Sequence, residues 1–157
     1  NAFNAEGAVA LKTGTGTDVW IGLRSPLLAV HPEQPEKKNL AILLRLRDLT
    51  EYTFDQVAFI DLDGRGIRDM AADGDSIWII AGPAADGSEP FQLRRISKSA
   101  LDHTKTIDSQ LINKALPNSS EGLAVAGKTA YVVIDGDDKG VGKQCKENAK
   151  YQILTLP

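Results

Sequence analysis

The sequence RDMAADGDSIWIIAGP at residues 68–83 has a counterpart without gaps in EGLAVAGKTAYVVIDG at residues 121–136. A third copy begins with EGAVAL at residues 6–11, passes through a Thr-rich loop and resumes with DVWIGLRSP at residues 18–26. Self-similarity at a period of about 50 residues is typical of architectures that stack or circle one small structural unit, such as propellers. The repeat therefore narrows the choice of fold before any single residue is considered.

Each copy has the pattern of a β-hairpin. A short strand of small apolar residues comes first, a tight turn such as Asp73-Gly74-Asp75 follows, and a strand of β-branched and aromatic residues completes the pair. The aromatic residues of the second strands, Trp20, Trp78 and Tyr131, occupy one column of the alignment. This composition favours strands over helices.

Further strands are expected after each hairpin. The segments with alternation or a longer apolar run are residues 40–46, 91–96 and 151–156, with weaker ones at 57–62 and 106–111. Three or four antiparallel strands in about 50 residues is the content of one propeller blade. We therefore predict an all-β, β-propeller-like fold with about three antiparallel blades, in a single partial domain of residues 1–157. The predicted repeats are approximately 4–62, 63–113 and 118–157.

The composition agrees with a folded domain and excludes several classes of function. The 157 residues are 42% hydrophobic and 25% charged, as in globular proteins rather than disordered chains. The 18 Lys and Arg against 21 Asp and Glu give a net charge of −3, which argues against nucleic acid as a partner. The longest apolar runs, such as residues 40–44, are far shorter than the roughly 20 residues of a membrane-spanning helix, so no membrane span is expected.

Three blades do not close a ring, since about four are the fewest that do. Apolar faces between blades, such as those that carry Trp20 and Tyr131, are therefore expected to be partly uncovered. The first residue is Asn1 rather than Met, which indicates that an upstream segment has been removed. Either the missing N-terminal part of the same protein completes a six- or seven-bladed propeller, of which this chain is half, or a second copy of this chain pairs with the first.

The repeat also brings charged residues into register. Glu6, Arg68 and Glu121 share one column at the start of the first strands, which in a propeller begin near one mouth of the central channel. Two carboxylates around one guanidinium suit a cation with a charge partner, or an anion held by Arg. A purely structural ring of ion pairs between the blades explains the same residues. Asp69, one position further, is expected to face the opposite way and to accept a hydrogen bond between blades.

A second column contains Arg24 and Asp135 at the far end of the second strands, and antiparallel pairing returns that end to the same mouth. The expected result is a polar pocket suited to a phosphate or carboxylate group. Its candidate ligand-binding residues are Arg24, Arg68 and Asp69. Its candidate catalytic residues, and candidate ligands of a Ca²⁺ ion, are Glu6, Glu121 and Asp135.

Other motifs indicate little chemistry. The segments DLDGRG at residues 61–66 and DGDD at 135–138 look like calcium loops but lack the twelve-residue pattern, so turns are the favoured interpretation. His31 and His103 are expected in solvated loops. Cys145 is the only cysteine, which excludes an intrachain disulfide, and it is interpreted as an unpaired thiol or as the partner of a thiol on a missing segment.

Together these motifs resemble the C-terminal half of a bacterial domain family of unknown function, whose members are typically exported and propeller-like. The resemblance is carried by EGLAV at residues 121–125, EGAVA at 6–10, GLRSP at 22–26, DGRGIRD at 63–69, AGP at 81–83 and DGDD at 135–138. It implies a missing N-terminal portion and a periplasmic or extracellular location, and it supplies no substrate. More loosely, the Glu-Gly-x-Ala pattern is similar to that of six-bladed gluconolactonase and esterase-like phytase propellers, where such acidic residues line a channel and some bind calcium.

Two functions fit these observations. The first is a binding module that takes a small anionic ligand or a divalent cation at the channel mouth. The alternative is a metal-assisted hydrolase of a small lactone, ester or phosphoester. No nucleophile elbow, Cys–His pair or His-rich metal set accompanies the carboxylates, which tilts the choice towards binding and leaves open whether the protein is an enzyme.

Overall fold

Strands are the main secondary structure of the computed structural model, which describes residues 3–14, 16–48, 50–85, 87–102, 105–135 and 150–157. Within these residues the one helical element is a 3₁₀ turn at Lys98–Asp102. The strands are β1 Asn4–Thr13, β2 Gly16–Ser25, β3 Leu28–Val30, β4 Lys38–Asp48, β5 Thr53–Asp61, β6 Gly66–Asp73, β7 Ser76–Gly82, β8 Phe91–Ser97, β9 Ile107–Asp108, β10 Gln110–Leu116, β11 Ser120–Ala126, β12 Thr129–Ile134 and β13 Lys150–Thr155. The predicted all-β class is confirmed, and the architecture is consistent with a propeller-like fold.

The strands form three sheets that follow one another along the chain. The first sheet has the order β1-β2-β4-β5-β9, with β3 paired to β4, the second has β10-β8-β7-β6, and the third has β11-β12-β13. Each predicted hairpin lies in a different sheet and has equivalent pairing, because Val9 faces Trp20, Ala71 faces Trp78 and Ala124 faces Tyr131. The tight turns need a left-handed residue, and Gly74 and Gly127 supply it with φ of 53° and 56°.

One strand departs from the predicted order. The segment predicted as a weak strand at 106–111 splits in two, and its first part, β9, pairs in parallel with β5 of the first sheet. Its second part, β10, pairs with β8 of the second sheet. The chain therefore crosses from one sheet to the next at Ser109, whose hydroxyl donates to the Asp61 carbonyl over 2.6 Å.

The core lies in two layers between the sheets. The layer between the first and second sheets contains Trp20, Ile77 and Ile79, and the layer between the second and third contains Trp78 and Val132. Trp20 is only 3% exposed, so the expectation that its face is uncovered was wrong, because that side of the first sheet packs on the second. Tyr131, in the same column of the last sheet, is 42% exposed, as expected.

No helix in the described part of the chain is long and apolar enough to cross a membrane. His31 corrects a second expectation, because it is buried rather than solvated. Its ring lies edge-on to Phe59 with the centroids 5.3 Å apart, and its Nδ1 accepts the Glu33 N–H over 3.2 Å. His103, Cys145, Asp137 and Asp138 lie outside the described residues.

Candidate functional site

Three β-bulges bring the first predicted column together. In β1, β6 and β11 the pairing register shifts at Glu6, Arg68 and Glu121, the same column of the repeat. A bulge adds one residue to a strand and turns its side chain away from the regular alternation. Strand β6 contacts both β1 and β11, so the three side chains meet in one space at the end where these strands begin. The predicted convergence of this column is therefore what the structure shows.

Arg68 lies at the centre of this group. Its guanidinium is almost fully buried, with Nε 3.0 Å from Glu6 Oε2 and Nη2 in a close ion pair with Glu121 Oε1. The Phe91 ring lies beneath it, 5.4 Å from Cζ to the ring centroid. Because Glu6 belongs to the first sheet and Glu121 to the third, one side chain of the second sheet joins all three.

Gly82 provides the space for Arg68. A Cβ atom on Gly82 would lie 2.9 Å from Arg68 Cγ and 2.7 Å from Phe91 Cε1, so any larger residue would displace one of them. Gly82 occupies the column that holds Arg24 in the first copy and Asp135 in the third. The second copy therefore has a gap where the other copies carry a charged side chain, and the Arg68 side chain fills it.

Arg24 completes the group from the first sheet. Its Nη1 lies 3.1 Å from Glu6 Oε1, and its Nε donates to the Pro83 carbonyl over 3.3 Å. Asn4 Nδ2 donates to the same Glu6 oxygen over 3.0 Å. We call the four charged residues Glu6, Arg24, Arg68 and Glu121 the Arg68 cluster. It is electrically balanced, with two guanidinium groups and two carboxylates.

Asp69 points away from the cluster, as predicted. Its Oδ1 accepts the Met70 N–H over 2.8 Å, and its Oδ2 accepts the Leu123 N–H of the third sheet over 2.6 Å. Burial raises the pKa of Asp69, and these two backbone donors offset part of that rise. Asp69 thus joins the second sheet to the third, as the predicted acceptor between blades, and its ligand-binding role stays a prediction.

Asp69 gives the protein a distinctive pH dependence. A folded-state pKa above the unfolded one means that the folded state binds the proton more tightly. The contribution of Asp69 to the free energy of unfolding is then largest below about pH 3.9, the ordinary value for Asp, and declines as the pH rises through its raised pKa. We therefore expect the difference in unfolding free energy between the wild type and Asp69→Asn to decline as the pH rises from about 3.9 through the raised pKa of Asp69, and to level off above it. Urea titration at several pH values measures this difference.

Asp55 supplies a control of opposite sign. The pKa of Asp55 is lowered chiefly by a hydrogen bond from the Arg45 side chain; desolvation opposes this, and a weaker hydrogen bond from Arg47 adds to the lowering. Its contribution is therefore present above the ordinary Asp pKa and lost as the pH falls through the lowered one. Equal pH profiles for Asp69→Asn and Asp55→Asn would contradict our assignment.

Asp135 does not join the Arg68 cluster in the described structure. It follows the end of β12, where its backbone N–H donates to the Ser119 carbonyl over 2.8 Å and its side chain is exposed. Across the described ranges no group of three acidic, His or Cys side chains gathers so as to hold a metal ion. Glu6 and Glu121 each face Arg68, so a Ca²⁺ ion between them would have to displace the guanidinium. Calcium binding by these residues stays a prediction.

A cleft of about 300 Å³ opens beside the cluster. Arg24 and Arg68 lie on one side of it, and its other lining includes Pro83, Ser88, Glu89, Phe91, Asn118 and Ser119. The pairings described above use Nε and Nη1 of Arg24 and Nε and Nη2 of Arg68. Among the described residues these pairings do not use Nη2 of Arg24 or Nη1 of Arg68, one amino group on each guanidinium.

Sequence reasoning missed the loop residues of this cleft. Ser88 and Glu89 lie in the connection between β7 and β8, where neither hairpin periodicity nor repeat alignment applies. Asn118 and Ser119 lie just before β11, a few positions ahead of Glu121. Their nearness to the Glu121 column of the repeat was the one sequence signal for them. Their place in the cleft depends on how the third sheet packs on the second.

A second buried arginine was also missed. Arg94 Nε donates to Gln92 Oε1 over 2.8 Å, Nη1 donates to Ser109 Oγ over 2.9 Å, and Nη2 forms a close ion pair with Asp63. Asp63 lies in the DLDGRG segment, where its N–H donates to Asp61 Oδ1 over 3.1 Å and its φ is 52°. These are features of an Asx turn, in agreement with the predicted turn.

A family model described as "Protein of unknown function (DUF3616)" matches residues 1–133 of the chain. The match covers all three members of the Glu6, Arg68 and Glu121 column. No curated protein and no solved structure shows a significant match.

Proposed function

This chain belongs to the DUF3616 family of proteins of unknown function, and from its own residues we propose that it binds a small anionic ligand in the cleft beside Arg24 and Arg68. The observation that carries the proposal is the pair of guanidinium amino groups that the ion pairs leave for a ligand. Arginine presents donors in a planar fork that matches carboxylate and phosphate oxygens. Ser88, Asn118 and Ser119 add neutral polar groups to the cleft.

The charges around the cleft favour a small anion over a cation. Glu6 and Glu121, the carboxylates nearest the arginines, are already paired with Arg68. A cation would need these carboxylates released, whereas an anion needs only donors. Glu89 is the one acidic residue among the described lining residues, and it limits the charge that the cleft accepts.

The hydrolase alternative has less support from the geometry. General-base or metal chemistry requires a carboxylate that is free to take a proton or a cation. Glu6 and Glu121 face Arg68, and both oxygens of Asp69 accept backbone N–H groups. Asp135 keeps an exposed carboxylate but lies apart from the cluster, and Glu89 is a single acidic residue in the described lining of the cleft, where these mechanisms commonly use a pair. Binding without turnover therefore agrees better with the described contacts.

Arg24→Ala tests the proposal with inorganic phosphate and citrate as probes in isothermal titration calorimetry at low ionic strength. The Arg24 side chain is 22% exposed, and its removal leaves Glu6 paired with Arg68, so we expect the fold to be retained and circular dichroism checks this. A hydrogen bond to a charged group contributes about 1.5–3 kcal/mol, so we expect binding to weaken by about tenfold to a hundredfold. Affinity should also fall as salt is added, since the interaction is electrostatic.

Arg47→Ala is the matched control. It removes the same charge from an exposed position that pairs with Asp55, away from the cleft. Equal weakening by both variants would show a general charge effect and contradict the proposal, as would probe binding that Arg24→Ala leaves unchanged. Heat of binding with CaCl₂ that is lost in Glu121→Gln would support the predicted calcium site instead.

A further inference from the structure

In the described part of the chain, the outward face of the third sheet is apolar and exposed. Tyr131 pairs across the strands with Ile153, and Val133 pairs with Tyr151, so the four side chains form one continuous patch on β12 and β13. Their exposed fractions are 42% for Tyr131, 47% for Val133, 70% for Tyr151 and 55% for Ile153. A patch of this kind on an otherwise ordinary surface marks an interaction site. We call it the front face of the third sheet.

The same columns of the preceding sheets are buried. Trp78 and Ile80, which align with Tyr131 and Val133, pack against the third sheet, and Trp20 packs against the second. In those two sheets the residue paired with the tryptophan is an arginine, Arg45 or Arg95, which lies over the indole ring. The third sheet has Ile153 at the paired position, so its front face is more apolar than the two front faces that are already covered.

The two interfaces inside the chain show what covers a front face. Against Trp20 lie Ile77 and Ile79 of the second sheet, and against Trp78 lie Ala130 and Val132 of the third. Ile77 aligns with Ala130 in the repeat, and Ile79 aligns with Val132. They lie on the side of the sheet opposite the front face, which we call the rear face. A front face therefore packs on the rear face of another sheet, through small and β-branched side chains.

Among the described sheets, the rear face of the first sheet does not pack on another sheet. Val19 and Ile21 occupy the columns of Ile77 and Ile79 there, and both are only half-buried. Phe54 and Val57 on β5, which lie across β4 from Val19 and Ile21, are exposed. The third sheet thus carries an exposed front face and the first sheet an exposed rear face, which are the two kinds of surface that pack together at both interfaces between the sheets.

We propose that the front face of the third sheet binds the rear face of the first sheet in a second copy of this chain, in a head-to-tail arrangement. Two such contacts give a closed ring of six sheets if the rotation between sheets allows it. This inference concerns the end faces alone and does not depend on ligand binding at the Arg68 cluster.

Light scattering on the purified chain gives the first test. We expect a particle of about twice the 16.9 kDa chain mass, and a monomer at all concentrations would overturn the proposal. Val133→Lys and Val57→Lys each place a charge in one of the two faces, and each should abolish the closed dimer. Leu111→Lys, an equally exposed apolar residue on β10 of the middle sheet, is the matched control and should leave the dimer unchanged.

Mixing the two variants tests the arrangement. Val133→Lys keeps an intact rear face and Val57→Lys keeps an intact front face, so an equimolar mixture should form a one-contact heterodimer that neither variant forms alone. If front faces paired with each other, Val57→Lys would still dimerise, and mixing it with Val133→Lys would form no additional dimer. That result, or a dimer that survives Val133→Lys, would overturn the proposal. Circular dichroism of each variant confirms that the strands are retained.

Discussion

Arg68→Ala is expected to lower the free energy of unfolding by about 3 kcal/mol, because removing one partner of a buried ion pair leaves the other charges uncompensated. Arg68 is nearly buried and holds Glu6 of the first sheet and Glu121 of the third. The value is at the low end of the range for buried pairs, since Glu121 is partly exposed and keeps some hydration. Urea unfolding followed by far-ultraviolet circular dichroism measures it.

Two further variants separate charge from packing. Arg68→Met keeps an unbranched apolar stem over Phe91 but strands both carboxylates, so it should destabilise nearly as much as Arg68→Ala. Combining Arg68→Met with Glu6→Gln and Glu121→Gln removes the uncompensated charges and should recover most of the loss, because apolar or neutral replacements of a whole ionic group are often tolerated. A triple variant no more stable than Arg68→Met would contradict this account.

Trp78→Ala is expected to lower the free energy of unfolding by about 3–5 kcal/mol, the usual cost of removing a buried tryptophan from a core. Trp78 is 4% exposed and lies between the second and third sheets, with Arg95 over its ring at 5.5 Å. The third sheet buries its apolar side with three strands in the described residues, so a cavity at this position removes a large share of its contact with the second sheet. Denaturant titration with fluorescence and circular dichroism follows the loss.

Tyr52→Ala is the control for this substitution. It deletes a comparably large aromatic ring from a turn where the side chain is exposed and lies outside both core layers. We expect a change within about 0.5 kcal/mol, as for most surface substitutions. Similar losses for Trp78→Ala and Tyr52→Ala would show that the layer between the second and third sheets contributes little to stability.

Much of the fold was predictable because its signals are local. Alternation of side chains along a strand, a Gly or Asp at a tight turn and the repetition of both are visible within a few residues. They predicted the hairpins β1–β2, β6–β7 and β11–β12. The short strand β9 was expected with the second repeat but pairs with β5 of the first sheet. That partner lies more than forty residues away along the chain, and no local signal specifies the pairing.

The candidate site was predicted in part. The alignment of Glu6, Arg68 and Glu121 in one column indicated their convergence, and Arg24 joined them through antiparallel pairing. Asp135 did not join them in the described structure, because a position at the end of a strand specifies the edge of a sheet but not the direction of a side chain. The same residue types also left two interpretations open, a ligand pocket and a structural ion-pair ring. Arg68 makes the ion pairs of the second interpretation, and the ligand pocket of the first stays a prediction.

The sequence by itself determined the all-β class, the three hairpins and the column of charges, since these depend on interactions between residues a few positions apart and on the repeat. The tertiary structure alone decided three further properties. The β-bulges turn the side chains of Glu6, Arg68 and Glu121 towards one another. The absence of a side chain at Gly82 leaves space for Arg68. Packing of the sheets buries Trp20 and Trp78 but leaves Tyr131 exposed. Each of these depends on contacts between sheets, where the atoms that meet are about fifty residues apart and only the packed chain specifies their distances.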